Sequence, residues 1–404
     1  MYREIKQHTQ SKPLRGSLQL HSLEAAGQVA RQQSEIAYFF ELQRGEYDQL
    51  LSAPAANVKV MQVSSGAGSA LHGTLSAGVS ASLVAPSQAL PEMFPTMIRL
   101  VRERLPTVFH IAAQSLSEEL AFRADHRDVM AVRDTGFAIL FSGGASEEAR
   151  DIAQIAHSAA TQLRLPVLHV FDGWDAAARR VSNMKPLRAL SNAVGRANDE
   201  QPNISYLATV ERIEAIMAAN HDAYQPFEYV GAPNAEAVVV VLAGATATVL
   251  ERALQFYQAT KVGLLKVRLY RPWAARYFVN KLPATATRVG VVELLGGDSA
   301  NLPLYRDVLA SVRGSHTRVK VTSMPVDLVG EVSLSMAERI WKMASSIHAT
   351  DFSQQQPIER GYVWPGTKQC VFWDSPATGG RKQRTEDIKQ MLSQGDRIWV
   401  EEHS

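Results

Sequence analysis

Residues capable of chemistry are sparse in this sequence and rarely clustered. The densest group is Arg123, Asp125, His126, Arg127 and Asp128, which sets acids, an imidazole and guanidinium groups side by side. Such a group could line a cleft and exchange protons with a ligand. Its mixed charge reads more simply as an ion-pair network that fixes structure. His72 and His110 could act as general bases near neutral pH. Gly66-Ala67-Gly68 suggests a dinucleotide loop, but Ala70-Leu71 follow where a third glycine is needed, so these glycines read as tight helix–strand packing. Glu118-Glu119 and Glu147-Glu148 suit the first turns of helices, where acidic side chains meet the positive end of the helix dipole. No grouped histidines and carboxylates mark a metal site. No Ser–His–Asp or Cys–His arrangement can be placed.

Composition narrows the classes. The chain has 404 residues, 46% hydrophobic and 20% charged, the balance of a globular protein with two or three domains. Its 42 basic and 40 acidic residues nearly cancel, which argues against a nucleic-acid binder. A single cysteine, Cys370, excludes an internal disulfide framework and a cysteine-ligated cluster within this chain. It fits a reducing, cytoplasmic setting. The apolar runs, such as Ala237–Thr246, have the length of buried strands rather than membrane spans. The basic start, residues 1–19, lacks an apolar core and is expected to be a disordered arm.

The elements that must position these residues alternate. Val58–Val60, Ala81–Ala85, Thr107–Ala112, Phe137–Leu140 and Pro166–Val170 are expected strands, apolar along most of their length as parallel strands covered on both faces should be. Helical spacing fills Gly66–Gly78, Glu92–Arg104 and Glu147–Leu163 between them. A second series has strands Val238–Leu242, Val262–Val267, Val289–Leu294 and Arg318–Thr322, with helices over Ala247–Thr260, Leu302–Val312 and Leu334–Ser346. The fold class is α/β, with two doubly wound domains. Their expected limits are 20–180 and 227–350, with a connector over 181–226 and, over 351–404, a linker and the start of a third domain.

Several segments resemble the 2-oxoacid:ferredoxin oxidoreductases, specifically pyruvate:ferredoxin oxidoreductase. Met61-Gln62, Gly66-Ala67 and Ala70-Leu71-His72-Gly73 resemble that family's EMQSEAGAAGAVHGA. Leu105-Pro106-Thr107-Val108-Phe109-His110-Ile111-Ala112-Ala113 is similar to LPTVFHVAAR, and Asp125-His126-Arg127-Asp128-Val129-Met130-Ala131 to DHSDVMA. Ser87-Gln88-Ala89-Leu90 resembles SQGL, and Phe171-Asp172-Gly173-Trp174 resembles FDGF. Further on, Lys261–Pro272 resembles KVGLVKVRLYRPF, and Gln369-Cys370-Val371-Phe372-Trp373 resembles QCKFWG. The resemblance runs from about residue 20 to 374. It implies a thiamine-diphosphate-enzyme pyrimidine-type domain followed by a transketolase-C-terminal-like domain. His72 and His110 fall inside matched segments and are therefore read as satisfied core histidines.

The same resemblance implies three functional positions, and all three have changed. The Glu of QSEAGA, which meets the cofactor's aminopyrimidine ring, is Ser64 here. A hydroxyl cannot replace a carboxylate that stabilises the imino tautomer. The Arg of HVAARAL, which grips the substrate carboxylate, is Gln114, and an amide carries no charge for that purpose. The Thr of YPITP falls on Gln43. Ser64, Ser87, Gln88, Asp125 and His126 remain candidates for lining the cleft. Degenerate regions of this kind occur ahead of the flavin and haem domains of fungal assimilatory sulfite reductases. The expectation is a scaffold or dimerisation module of a larger oxidoreductase of that type, with no cofactor of its own, no nucleic-acid partner and no membrane. The alternative is an α-type subunit that uses thiamine diphosphate and a partner subunit to decarboxylate a 2-oxoacid oxidatively.

Overall fold

The computed structural model describes residues 20–40, 57–61, 66–116, 122–143, 145–172, 205–220, 224–254, 261–294, 302–315, 319–326 and 334–345. Gln43, Ser64, Cys370 and the expected arm and linker lie outside these residues.

The first sheet begins with helix α1 (Leu20–Gln33), followed by strands β1 (Ile36–Phe40) and β2 (Val58–Met61). Helix α2 (Ala67–Ser76), strand β3 (Ala81–Pro86), helix α3 (Leu90–Arg102) and strand β4 (Val108–Leu116) come next. A short strand β5 (Phe122–Ala124) and helix α4 (Arg127–Ala131) lead to β6 (Ala138–Ser142), α5 (Ser146–Leu163) and β7 (Val167–Asp172). Every residue of β6 and β7 is buried, as parallel strands sandwiched by helices require. At the edge, β2 carries two exposed residues of four.

Helix α6 (Tyr206–Asn220) lies in the stretch read from sequence as a connector. The second series then runs β8 (Phe227–Gly231), β9 (Ala237–Leu242), α7 (Ala245–Leu254), β10 (Val262–Val267), β11 (Leu269–Arg271), α8 (Ala275–Asn280), β12 (Arg288–Leu294), α9 (Pro303–Gly314), β13 (Lys320–Val326) and α10 (Leu334–Ser345). The second sheet has the order β13-β12-β9-β10-β8, parallel except for β8. The first has the order β11-β6-β7-β4-β3-β1-β2, with β5 pairing beside β4. Strand β11 thus leaves its sequence neighbours and pairs antiparallel with β6 at the edge of the first sheet.

Two local readings change. Gly68 supports close packing between two helices rather than between helix and strand: a Cβ there would stand 2.6 Å from Thr96 Oγ1 on α3. His72 is not a core residue. It lies part-exposed on α2, 2.7 Å from Glu103 Oε2, because the apolar side of that helix is formed by Ala67, Leu71 and Leu75. His110 is fully buried, as expected.

Candidate functional site at the carboxyl ends of the two sheets

Three expected cleft residues, Ser87, Gln88 and Asp125, gather with Gln114 at the end of β4. Ser87 opens a single turn of 3-10 helix directly after β3, which places its hydroxyl beside the last residues of β4. Its Oγ lies 3.2 Å from the Gln114 carbonyl and 3.1 Å from Asp128 Oδ2. Gln88 Nε2 donates to the same Gln114 carbonyl. Burial raises the Asp128 carboxyl above its ordinary range against the opposing bond from Ser87, and the nearby Asp125 charge adds to the rise. When protonated, Asp128 can donate to Ser87 while Ser87 donates to the carbonyl, so one chain of hydrogen bonds closes there.

Asp125 follows the β4–β5 pairing, with its N–H donating to the Ala113 carbonyl at 3.3 Å. Burial alone would raise its carboxyl. Hydrogen bonds from the Arg127 side chain and backbone, and from Ser115, outweigh that effect and hold it below its usual value. Arg127 Nη2 lies 2.6 Å and its N–H 3.0 Å from the carboxylate. This part of the cluster is the ion-pair network its mixed charge suggested.

His126 points elsewhere, into the seam between the two sheets. Its Nε2 lies 2.7 Å from Asp172 Oδ1 at the end of β7. Asp172 Oδ2 accepts the Ala245 N–H at the start of α7 at 2.7 Å. The His126 N–H donates to the carbonyl of Leu294, the last residue of β12, at 3.0 Å. His126 Nδ1 is buried and has no hydrogen-bond partner. Next to Leu294, Glu293 receives the N–H groups of Leu304 and Tyr305 at 2.8 and 3.2 Å, capping α9. Burial pushes its carboxyl up to about 7, against those two bonds and the nearby His126.

A second seam forms around Arg268, just before β11. Its Nε and Nη2 reach Glu228 Oε2 at 3.0 and 2.8 Å, and its Nη1 pairs with Glu148 on α5. Burial lowers its guanidinium to about 10. Glu148 stands in the first turn of α5, as its sequence suggested, and also accepts the Gly143 N–H at 2.8 Å.

Ser87, Gln88, Gln114 and Asp125 are therefore together, His126 is adjacent but faces away, and Gln43 and Ser64 fall outside the described residues. Sequence reasoning did not find the roles of Asp172, Glu293 and Arg268. Each partner is distant in the chain, so local spacing carried no signal of them. Among the described residues no helix is long and apolar enough to cross a membrane, and no group of three or more His, Cys, Asp or Glu side chains is placed to hold a metal ion.

Two helix-covered sheets meeting at their carboxyl ends define the class: a mixed α/β chain of the thiamine-enzyme fold. A 2-oxoglutarate:ferredoxin oxidoreductase from Magnetococcus marinus shares it over 80% of this chain and 64% of its own, at a TM-score of 0.56 and 14% identity. A split-gene transketolase shares it over 80% of this chain and 93% of its own, at a TM-score of 0.50 and 10% identity. The family model for pyruvate flavodoxin/ferredoxin oxidoreductase, thiamine diphosphate-binding, matches residues 41–245. The chain belongs to that family. It is 36% identical over 289 residues to a pyruvate:ferredoxin oxidoreductase of Moorella thermoacetica, covering 62% of this chain and 24% of that protein. It is 31% identical over 383 residues to the mitochondrial pyruvate dehydrogenase [NADP(+)] of Euglena gracilis, covering 80% of this chain and 21% of that protein. A pyruvate-flavodoxin oxidoreductase of a Nostoc species is 32% identical over 288 residues, 62% of this chain and 71% of its own. The match thus spans only about a fifth to a quarter of the first two relatives.

Proposed function

We propose that this chain is a catalytically degenerate pyruvate:ferredoxin-oxidoreductase-like module, a scaffold or dimerisation part of a larger cytoplasmic oxidoreductase. The observation that carries the reading is the end of β4. Position 114 bears a neutral amide, its carbonyl is taken by Ser87 and Gln88, and the nearest acids are engaged by Ser87 and Arg127. Thiamine chemistry on a 2-oxoacid needs a carboxylate at the aminopyrimidine ring and, by resemblance to the family, a guanidinium for the substrate anion. Ser64 and Gln114 hold those positions. This donor set does not fit the cofactor together with its substrate. In this reading residues 20–180 and 227–350 keep the packing of the two domains while catalysis has been lost.

The finer assignment is a component of an assimilatory, NADPH-dependent sulfite reductase, and it rests on the likeness to degenerate regions of such enzymes. The competing reading, an active thiamine-dependent α-type subunit, is supported by identity to working enzymes. Calorimetry with thiamine diphosphate and Mg2+ separates them. The degenerate module gives no binding heat at millimolar cofactor. Tight binding, with 2-oxoacid turnover once the pyrophosphate-binding and cluster-bearing partners are supplied, defeats the proposal. Sedimentation of the full chain reads its self-association. Growth of a strain lacking it, on sulfate against cysteine as sulfur source, tests the sulfite reductase assignment: equal growth on both removes it.

A further inference from the structure

Three histidines from distant parts of the chain touch in the core of the first sheet. His110 on β4 places Nδ1 2.9 Å from Nδ1 of His169 on β7 and Nε2 3.1 Å from Nε2 of His157 on α5. His169 Nε2 continues to Ser142 Oγ on β6 at 3.0 Å. His110, His169 and Ser142 have no exposure, and His157 is 7% exposed. The string therefore joins three neighbouring strands to the helix that covers them.

Each contact needs one proton between its two atoms, and a neutral imidazole carries one N–H. All contacts can be satisfied with every ring neutral, if each ring donates to the next in one direction. Running from His157 to His110 to His169 to Ser142, the last hydroxyl can donate to the Val170 carbonyl at 3.5 Å. An added proton would instead create a buried cation. The described partners of the charged groups on the surrounding elements lie away from the string. On α5, Glu148 is held by Gly143 and Arg268, and Arg150 pairs with Asp151, near Glu147 at the helix start. On α1, which packs along α5, the described groups are Glu24 and Arg31, and Glu24 accepts from Gln28. On α6 they are Glu211, Arg212 and Glu214, with Glu211 bound to Tyr277. Asp172, at the end of β7, is held by His126 and Ala245. The described hydrogen-bond partners of the three rings are one another and Ser142.

We propose that this histidine string is an acid-sensitive latch, which holds α5 on the first sheet while its rings are neutral and releases α5 when they take up protons. Burial lowers His157 and His169 to about 3 and His110 well below its ordinary value, with the neighbouring rings lowering His110 further. In the opened state the rings return to about 6.5. The open state then binds more protons between those limits, so closure is favoured above pH 6.5 and weakens as pH falls below it.

The test is amide hydrogen exchange on the full chain from pH 7 to pH 5, corrected for intrinsic exchange, comparing peptides from Glu147–Leu163 with peptides from Val238–Leu242 in the second sheet. The latch predicts an opening constant for α5 that rises about tenfold per pH unit for each proton taken up, with the second sheet lagging behind. His157→Gln can still donate to His110 but cannot titrate, so it should remove one proton from that slope. A parallel rise in both segments, or an unchanged slope in His157→Gln, overturns the proposal. Should that variant fail to fold, nitrogen-15 imidazole spectra of the unaltered chain decide. Three rings that stay neutral at pH 5.5 support the latch, and any of the three titrating near 6.5 in the folded protein overturns it.

Discussion

His126 and Asp172 meet at 2.7 Å, and that single carboxylate also takes the N–H that begins α7, so one aspartate fastens both α/β units. Removing it strands two buried donors at once. Asp172→Ala should cost about 2–6 kcal/mol, at about 1–3 per unsatisfied group. Urea unfolding followed by fluorescence and by circular dichroism checks this. The two probes should also separate, because the seam would yield before the sheets. Coincident curves at the original midpoint would contradict the role.

Gly244 is the neighbour that makes this contact possible. A Cβ there would stand 2.2 Å from Asp172 Oδ2, an oxygen already held by the Ala245 N–H. Gly244→Ala must displace the carboxylate, and destabilisation of about 1–3 kcal/mol is expected from overpacking. Combined with Asp172→Ala, the glycine substitution should lose most of its effect. Additive costs in the double variant would place the strain elsewhere.

Arg268 works the second seam by a different rule. Its guanidinium is 4% exposed and answers Glu228 and Glu148, carboxylates from the two different units. Arg268→Met keeps the volume and leaves Glu148 without its cation, while Glu228 keeps Lys266 at 2.6 Å, for an expected loss of about 3–5 kcal/mol. Adding Glu148→Gln should restore part of it. A double-mutant cycle with no coupling between the two positions would show that the pair is incidental.

Glu293 gives a pH dependence opposite in sign to that of the histidines. Its carboxyl sits at about 7 when folded against an ordinary 4.5, so the folded state holds a proton more tightly than the unfolded one. That contribution is fully present below pH 4.5 and is lost as pH rises through 7. Glu293→Gln, which imitates the protonated acid, should flatten the fall in stability between pH 5 and pH 8. Thermal midpoints at those two pH values measure it, and an unchanged slope would assign the fall to another group.

Much of the fold is written locally. The run Val238–Leu242 is apolar throughout and Val262–Val267 is apolar but for the ion-paired Lys266, because both faces of each strand are buried, and their pattern alone marks them. Ile36–Phe40 has the same character. Five residues are too short a run for periodicity alone to separate a buried strand from a helical segment. Strand β11 was illegible for a stronger reason: three residues carry no periodicity, and their partner is β6. The site behaved alike. Ser87, Gln114 and Asp125 lie in recognisable segments, whereas the joins from His126 to Asp172 and from His110 to His157 span 46 and 47 positions and depend on strand order.

That same donated strand sets a rule for synthesis. The outer edge of β6 stays open until Leu269–Arg271 have left the ribosome, long after the other strands of its sheet have been made. An exposed strand edge invites foreign pairing. A nascent chain that stalls between the two units would therefore expose the first one at its most adhesive side, and a gene cut at that boundary would encode an aggregating protein rather than a smaller domain.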